Sequence, residues 1–460
     1  MKEMQHPSSR LRGRLLTPER SLVLSFVLLI AVGSSLLHMP AAARGRPASL
    51  IDAIFTATSA VCVTGLTVVD TGTFYGPLGQ VIILVLIQVG GLGIMTFSVF
   101  FYLLLGRSIG FGDRRIIQDT FSQLPIRNIY MLLKSVFLYT IVIESAGIVV
   151  LFLGWKGSFP LVKALYLSLF HAVSAFCNAG FSLFPNSLVD FKEGLLVNFS
   201  ITSLIILGGI GFIVLREVLE TGLRRKRQFR LSLHSKVVLA TSLALIVFGT
   251  LVVFAVERGN TLQNLSLGRQ VLASYFESVT SRTAGFNTIP TVDLSNATCF
   301  ILVLLMFIGA SPGSCGGGIK TTNLATLVSL AVNRYRGRDQ ANIFKRTIPS
   351  ETVSRSVSII LASLLAVIVV TVLLLITQLG NTSHMESRGL FLEYLFEAVS
   401  AFGTVGLSMG VTAGLDVAGK LIIIVLMLVG RLGPLTLAFA MARRVRKGGY
   451  QYVEENIIVG

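Results

Sequence analysis

Long apolar runs separated by short basic connections dominate the chain. The first, Ser21–Ala43, carries no formal charge over 23 residues. It exceeds the roughly 7–15 residues of a secretory-signal core and suffices to cross about 30 Å of hydrocarbon, so it is read as a retained crossing. Similar runs follow at Leu78–Leu105, Ser135–Leu153, Gly194–Leu215, Val237–Val256, Thr298–Thr322, Ser356–Leu379 and Leu421–Ala442. The pattern predicts eight transmembrane helices. Four further apolar stretches, Ala53–Val69, Ala164–Phe184, Gln270–Ile289 and Ala398–Met409, are short, rich in Ser, Thr, Ala and Gly, and each holds a glycine poorly placed for a spanning helix. Irregular backbone persists in a membrane only where protein or a water-filled path satisfies its polar groups, which predicts re-entrant half-helices here.

The four short stretches are one motif: SAVCVTGL at Ser59–Leu66, SAFCNAGF at Ser174–Phe181, TSRTAGF at Thr280–Phe286 and SAFGTVGL at Ser400–Leu407. Their glycines, Gly65, Gly180, Gly285 and Gly406, are 115, 105 and 121 residues apart. An all-α polytopic membrane protein follows, built of four repeats of outer helix, re-entrant pore segment and inner helix, with boundaries at 1–106, 107–220, 221–338 and 339–460. The third motif is one residue shorter before its glycine. The inner helices repeat as well, with VGGLGIMT at Val89–Thr96, LGGIGFIV at Leu207–Val214 and VGRLGPLT at Val429–Thr436. Their glycines read as close helix packing. In the third unit the counterpart is IGASPGSCGGGIKTTN, Ile308–Asn323, where Pro312 and Gly316–Gly318 predict a helix interrupted at mid-membrane.

Composition sharpens this picture. Apolar residues make up 53% of the chain and mean hydropathy is +0.78. Charged residues are 13%, against about 25% in soluble domains. The excess of Lys and Arg over Asp and Glu, 39 − 22 = +17, would suggest nucleic acid in a soluble chain. Here the cations sit between the apolar runs and orient helices instead, so no nucleic-acid partner is expected. The N-terminal tail to Arg20 holds five, Arg107–Lys134 five, Arg216–Lys236 seven, Arg334–Arg355 six and Arg443–Lys447 four. These 27 of 39 share one side if each unit crosses out, dips and crosses back, leaving ten opposite and Lys320 and Arg431 within the membrane. Both termini are therefore expected in the cytoplasm, with the pore segments dipping from outside. The run Arg224–Arg227 reads as part of this bias, in contact with anionic membrane lipid. None of the four cysteines forms a CxxC pair, and Cys62 and Cys177 read as small core residues. No HExxH, GxSxG or paired-Asp constellation lies in the spans, so an enzyme is not expected. Gly316–Gly318 and Lys320 lack the spacing of a phosphate-binding loop.

Four glycine-centred segments around one axis form a pseudo-fourfold pore. Such a pore can strip water from a cation by offering rings of carbonyl oxygens, and glycine permits the required backbone angles. Re-entrant helices ending near the axis add partial negative charge, which rejects anions. In these motifs the chain resembles the Ktr/Trk/HKT superfamily of potassium transporters, and its length and short tail resemble the KtrB-type membrane subunits. The likeness covers almost the whole chain. It implies potassium uptake across the cell membrane through a gated, channel-like selectivity filter, with K+ held by main-chain carbonyls and no cofactor in this chain. Glycine rather than serine at position 65 goes with potassium preference in the family. The filter positions implied are Val63, Thr64, Gly65 and Leu66; Asn178, Ala179, Gly180 and Phe181; Thr283, Ala284, Gly285 and Phe286; and Thr404, Val405, Gly406 and Leu407. A gating loop is implied at Gly309–Lys320, including Gly316, Gly317, Gly318 and Lys320, with Arg431 as the family's inner-helix arginine.

Arg431 also stands out by itself, because a guanidinium facing lipid costs at least about 3 kcal/mol and should face the pore or the loop carbonyls. The resemblance further implies a homodimeric membrane part, a separate cytoplasmic nucleotide-binding ring resembling KtrA, and Na+ as a candidate activator. The alternative is a sodium- or proton-coupled symporter, for which Glu144 in an outer helix is the main candidate carboxylate. Asp70, Asp190, Asp293 and Asp416 each follow a motif glycine on the outer side, as solvated loop acids or as a cation-gathering ring.

Overall fold

In the computed structural model the described residues are 18–93, 126–223, 231–380, 382–383 and 385–441. The N-terminal basic tail, the end of the Leu78–Leu105 run, most of the connection after Arg107, the Arg224–Arg227 run and the Arg443–Lys447 cluster lie outside them. Long helices occur at α1 (Pro18–His38), α4 (Ile126–Trp155), α8 (Leu233–Glu257) and α12 (Ser350–Leu379), interleaved with shorter ones. Four of the shorter ones are buried: α2 (Leu50–Val61), α5 (Leu161–Phe176), α9 (Leu267–Thr280) and α13 (Leu390–Gly403). After each of these comes an apolar helix, namely α3 (Pro77–Leu92), α6 (Leu195–Gly209), α10 (Asn296–Phe307) and α14 (Val417–Leu432). The remaining helices longer than one turn among the described residues are α7 (Phe212–Leu223), α11 (Thr321–Tyr335) and α15 (Pro434–Met441). One two-residue hairpin, β1 (Asn342–Ile343) with β2 (Arg346–Thr347), is the strand structure among the described residues.

Local signals start these helices. Ser49, Ser232 and Ser295 cap α2, α8 and α10 by accepting the N–H three residues on, at 3.2–3.3 Å, and Asp416 caps α14 through the Gly419 N–H at 2.7 Å. Pro77 opens α3, where a missing N–H costs nothing. The long helices keep apolar residues such as Leu28, Ile141, Leu251 and Leu361 exposed. Arg20–His38, Lys134–Trp155, Leu233–Glu257 and Ser350–Leu379 are long and apolar enough to cross a bilayer.

The other four predicted crossings differ from expectation. The sequence suggested an interruption in the third inner helix alone, whereas three of the runs also stop at a glycine in the left-handed region and the third stops at Ile308. Gly93 ends α3 at φ +84°, Gly211 separates α6 from α7 at φ +93°, and Gly433 separates α14 from α15 at φ +83°. The Leu195–Gly209 and Phe212–Thr221 pieces meet at 104°. In the third run Ile308–Lys320 forms a loop between α10 and α11. The physical reason is that a Gly-x-x-Gly run inside apolar sequence scores as a helix while its last glycine adopts angles no helix uses.

Packing runs in a closed series. The apolar helix after each motif lies against the buried helix of the next: α3 on α5, α6 on α9, α10 on α13, and α14 on α2. The first glycine of each Gly-x-x-Gly run permits three contacts within the units. A Cβ on Gly90, Gly208 or Gly430 would strike the carbonyl oxygen of Val61, Phe176 or Phe402 respectively, each the fourth residue before a motif glycine. Trp155 is the only tryptophan and is fully buried, with its ring edge-on to His171 at 5.1 Å and to Phe184 and Phe191 at 5.6 Å.

Gly208→Val is expected to destabilise the protein by about 3 kcal/mol, because backbone rather than a movable side chain blocks the new methyls. A thermal-inactivation midpoint in detergent unchanged from wild type would contradict this.

Candidate functional site

The four motifs share one backbone. Each buried helix ends three to five residues before its glycine, and the chain then turns through a left-handed residue two positions before it. Those residues are Val63, Asn178, Thr283 and Thr404, at φ +57°, +58°, +74° and +50°. The glycines Gly65, Gly180, Gly285 and Gly406 follow at φ +88°, +69°, +78° and +96°. Left-handed angles at Val63, Thr283 and Thr404 are uncommon for side chains branched at Cβ, and such strain persists only where the surroundings enforce it. The shorter third motif is accommodated at the helix end. The N–H preceding the glycine bonds the carbonyl five residues back at Ser59, Ser174 and Ser400, but four back at Thr280. Thr280 thereby takes the serine's place, and its hydroxyl donates to the Phe286 carbonyl at 2.5 Å as Ser174 does to Phe181 at 2.8 Å.

The glycines also meet one another. A Cβ on Gly65 would lie 2.5 Å from the Ala179 carbonyl oxygen, and one on Gly180 would lie 2.7 Å from that of Ala284. A Cβ on Gly285 would strike the Val405 oxygen, and one on Gly406 the Thr64 oxygen. Motif one therefore touches two, two touches three, three touches four, and four returns to one. Each Cβ would also lie 3.0–3.1 Å from the Cα of the next glycine in the circuit.

Below this circuit sits the loop 308–320. The Gly317 N–H donates to the Thr404 hydroxyl at 3.0 Å, and a Cβ on Gly316 would strike the Thr283 hydroxyl. With its amide nitrogen toward the Ala175 and Ile205 carbonyls, Asn178 accepts from the Thr283 hydroxyl, all at 3.1 Å. Loop N–H groups also meet the ends of the broken helices. Ser311 donates to Gly209 at 3.0 Å, Cys315 to Gly208 at 3.1 Å and Gly318 to Gly430 at 3.3 Å. Lys320 folds back onto the Gly316 carbonyl at 2.7 Å. The Arg431 guanidinium donates to the carbonyls of Cys315 in the loop and Gly90 at the end of α3, and more weakly to Gly91 at 3.4 Å.

Other predicted residues have plainer positions. All four cysteines are buried free thiols. Asp70 caps a one-turn helix through Thr73, Asp190 accepts from Asn186 at 2.8 Å, and Asp416 caps α14. The Gly419 N–H, followed by the Gln378 amide, holds the Asp416 carboxyl below its ordinary pKa. Glu144 is buried on α4, with the Gln88 amide 3.4 Å from one oxygen and the other oxygen unpartnered. Counting charges by connection misassigned Arg282, one of the ten cations expected outside. It is buried at the end of α9, donating to the Ser242 carbonyl and hydroxyl on α8, each at 3.1 Å. Nothing in the spacing of the third motif marks that burial except the missing residue beside it.

Among the described residues no group of three His, Cys, Asp or Glu side chains could hold a metal ion. At its contacts the motif circuit presents main-chain carbonyl oxygens, those of Thr64, Ala179, Ala284 and Val405.

Known proteins resemble the chain over nearly its whole length. The potassium uptake protein B of the Ktr system from Bacillus subtilis is 40% identical over 446 residues, covering 96% of this chain and 97% of that protein. The potassium/sodium uptake protein NtpJ of Enterococcus hirae is 36% identical, covering 98% and 99%. Among solved structures, the potassium transporter TrkH from Vibrio parahaemolyticus superposes with a TM-score of 0.72 over 96% of this chain and 86% of that one. At 19% identity that likeness is one of fold. The TrkH cation transport protein family matches residues 20–448, and the chain, a multi-pass membrane protein, belongs to that family rather than to any class of enzyme.

Proposed function

We propose that the protein takes potassium into the cell through a selectivity filter formed by its four motifs. In this reading the chain is four units, 1–106, 107–220, 221–338 and 339–460, each of outer helix, re-entrant segment and inner helix, giving eight crossings about a pseudo-fourfold axis. The main-chain carbonyls of Val63, Thr64 and Gly65, of Asn178, Ala179 and Gly180, of Thr283, Ala284 and Gly285, and of Thr404, Val405 and Gly406 replace the ion's hydration shell. The observation that carries this is the closed circuit of carbonyl-to-glycine approaches, which brings four distant segments to one place. The Bacillus relative, a potassium uptake protein, and the Enterococcus relative, a potassium/sodium uptake protein, support potassium as the ion, and the latter leaves Na+ open as a second one.

The gate, in the same proposal, is the loop at Gly316–Gly318 held by Lys320 and Arg431. The bonds from Arg431 to both the loop and the end of α3 support a clamp, and its charge repels cations from beneath the filter. Cytoplasmic termini follow from the distribution of Lys and Arg. A homodimeric membrane part and a cytoplasmic nucleotide-binding ring resembling KtrA complete the proposal, and co-purification with such a partner tests it.

In vesicles containing the purified protein, uptake of potassium and rubidium is expected to exceed that of sodium and lithium. Gly65→Ser should reduce the preference for potassium over sodium by at least about tenfold, or ~1.4 kcal/mol, because its side chain meets the Ala179 carbonyl. A variant as selective as wild type would refute the filter assignment.

Arg431→Ala should raise basal flux by about tenfold or more, since each charge-assisted hydrogen bond holding the loop is worth roughly 1.5–3 kcal/mol. Unchanged flux and unchanged regulation would remove Arg431 from the gate.

A further inference from the structure

Three of the four hairpins carry a buried acceptor that the glycine motif does not display. His171 and Glu397 lie nine residues before their glycines and Glu277 lies eight before, the offset following from the shorter third motif. All three are inaccessible to solvent or nearly so. Each faces the chain just beyond the glycine. The His171 Nδ1 lies 2.8 Å from the Leu167 carbonyl, which can only accept, so that nitrogen carries the proton. Its Nε2 then accepts from the Ser182 hydroxyl at 3.0 Å and the Leu183 N–H at 3.4 Å. The Glu277 carboxyl group accepts the Thr288 N–H at 3.4 Å. That of Glu397 accepts the Ser408 hydroxyl at 2.9 Å and the Thr412 hydroxyl, and the Ser408 oxygen in turn accepts the Gly410 N–H at 3.0 Å. In the first hairpin the same place holds Thr56, whose hydroxyl lies 3.3 Å from that of Tyr75.

These bonds differ in kind from other polar contacts of the same helices. Ser168 and Ser274 return their hydroxyls to carbonyls of their own helix, at Ala164 and Gln270, as serine commonly does. His171, Glu277 and Glu397 instead reach across to the outgoing limb, within two or three residues of the glycine. A neutral aromatic acceptor backs the second hairpin and carboxyl groups back the third and fourth, in surroundings where an unpaired acceptor is costly.

We propose that His171, Glu277 and Glu397 are positioning residues of the filter, acceptors that hold the outgoing limb of each hairpin and so set the preference among alkali cations without touching the ion. The inference rests on the reading of the four motifs as a filter. Carbonyl rings discriminate by the separation and freedom of their oxygens. Each ring here continues directly into a limb that one of these side chains holds.

The test uses full-length protein in vesicles and compares rubidium with sodium uptake for wild type, Glu397→Gln, Ser408→Ala, the double variant and a control, Ser274→Ala. Glu397→Gln and Ser408→Ala are each expected to lower the rubidium-to-sodium ratio by about tenfold, the size set by one hydrogen bond to a buried charge-bearing group. The double variant should do little more than the stronger single change, since both act on the same Glu397–Ser408 contact. The control should shift only the thermal midpoint. If Glu397→Gln does not fold, Ser408→Ala carries the comparison, because it removes one hydroxyl and leaves the carboxyl group its Thr412 partner. A wild-type ratio in Ser408→Ala, or an equal fall in the control, overturns the proposal while leaving the filter standing. Wild-type vesicles without selective uptake would overturn the filter reading and this proposal together.

Discussion

The structure depends on backbones approaching one another more closely than a side chain allows. At the four motif glycines the neighbour is another motif's carbonyl oxygen and Cα, so no residue with a Cβ fits without moving main chain. The same condition recurs where Gly90, Gly208 and Gly430 admit the last carbonyls of the buried helices. Those two sets of contacts are linked. In three of the four units the buried helix is set in depth by the glycine behind it, and its depth decides where the following turn meets its neighbour. A shift in one unit is therefore passed to two others, which favours a ring that is either intact or grossly altered.

A second constraint comes from the breaks. A helix that stops inside a membrane leaves carbonyl groups that neither lipid nor its own continuation can satisfy. The loop after α10 supplies the missing donors to Gly208, Gly209 and Gly430, and Arg431 supplies them to Gly90. Loop, arginine and broken helices thus form one hydrogen-bonded set beneath the motif circuit. Displacing the loop exposes carbonyls of the second and fourth units at once, and water must take over those bonds. In the gating role proposed for the loop, its movement and hydration of the space below the circuit are the same event.

Much of this was legible in the residues. The four glycines, their spacing and the interrupted third helix all follow from repetition and from the cost of glycine and proline in helices. The left-handed glycines at 93, 211 and 433 were not, because Gly-x-x-Gly reads equally as a packing motif and as a break, and only the backbone angle separates them. Arg431 was expected to face either the pore or the carbonyls of the loop, but the bond to Gly90 joins residues 341 positions apart, which no local pattern reveals. Arg282 escaped notice because counting charges by connection assigns a side by position in sequence, while the buried helix carries this residue inward. His171 differs chemically from the two glutamates, and the shorter third motif moves Glu277 one position closer to its glycine than Glu397, so no one letter at one spacing marks their common place.

The third unit departs from the others at every level. Its hairpin is a residue shorter, its helix end holds a buried arginine where two other units hold cysteines, and its inner helix opens into the loop that caps its neighbours. These departures belong together. A guanidinium at the end of α9 places positive charge where the other three buried helices present only partial negative charge, which weakens the attraction for a cation on that side. The loop that descends from the same unit lies against Thr283 and Thr404, next to that weakened corner. In the gating role proposed for the loop, an element that vacates the space under the circuit meets least electrostatic competition from a cation there, so the asymmetry in charge and the asymmetry in chain path favour motion of the same unit.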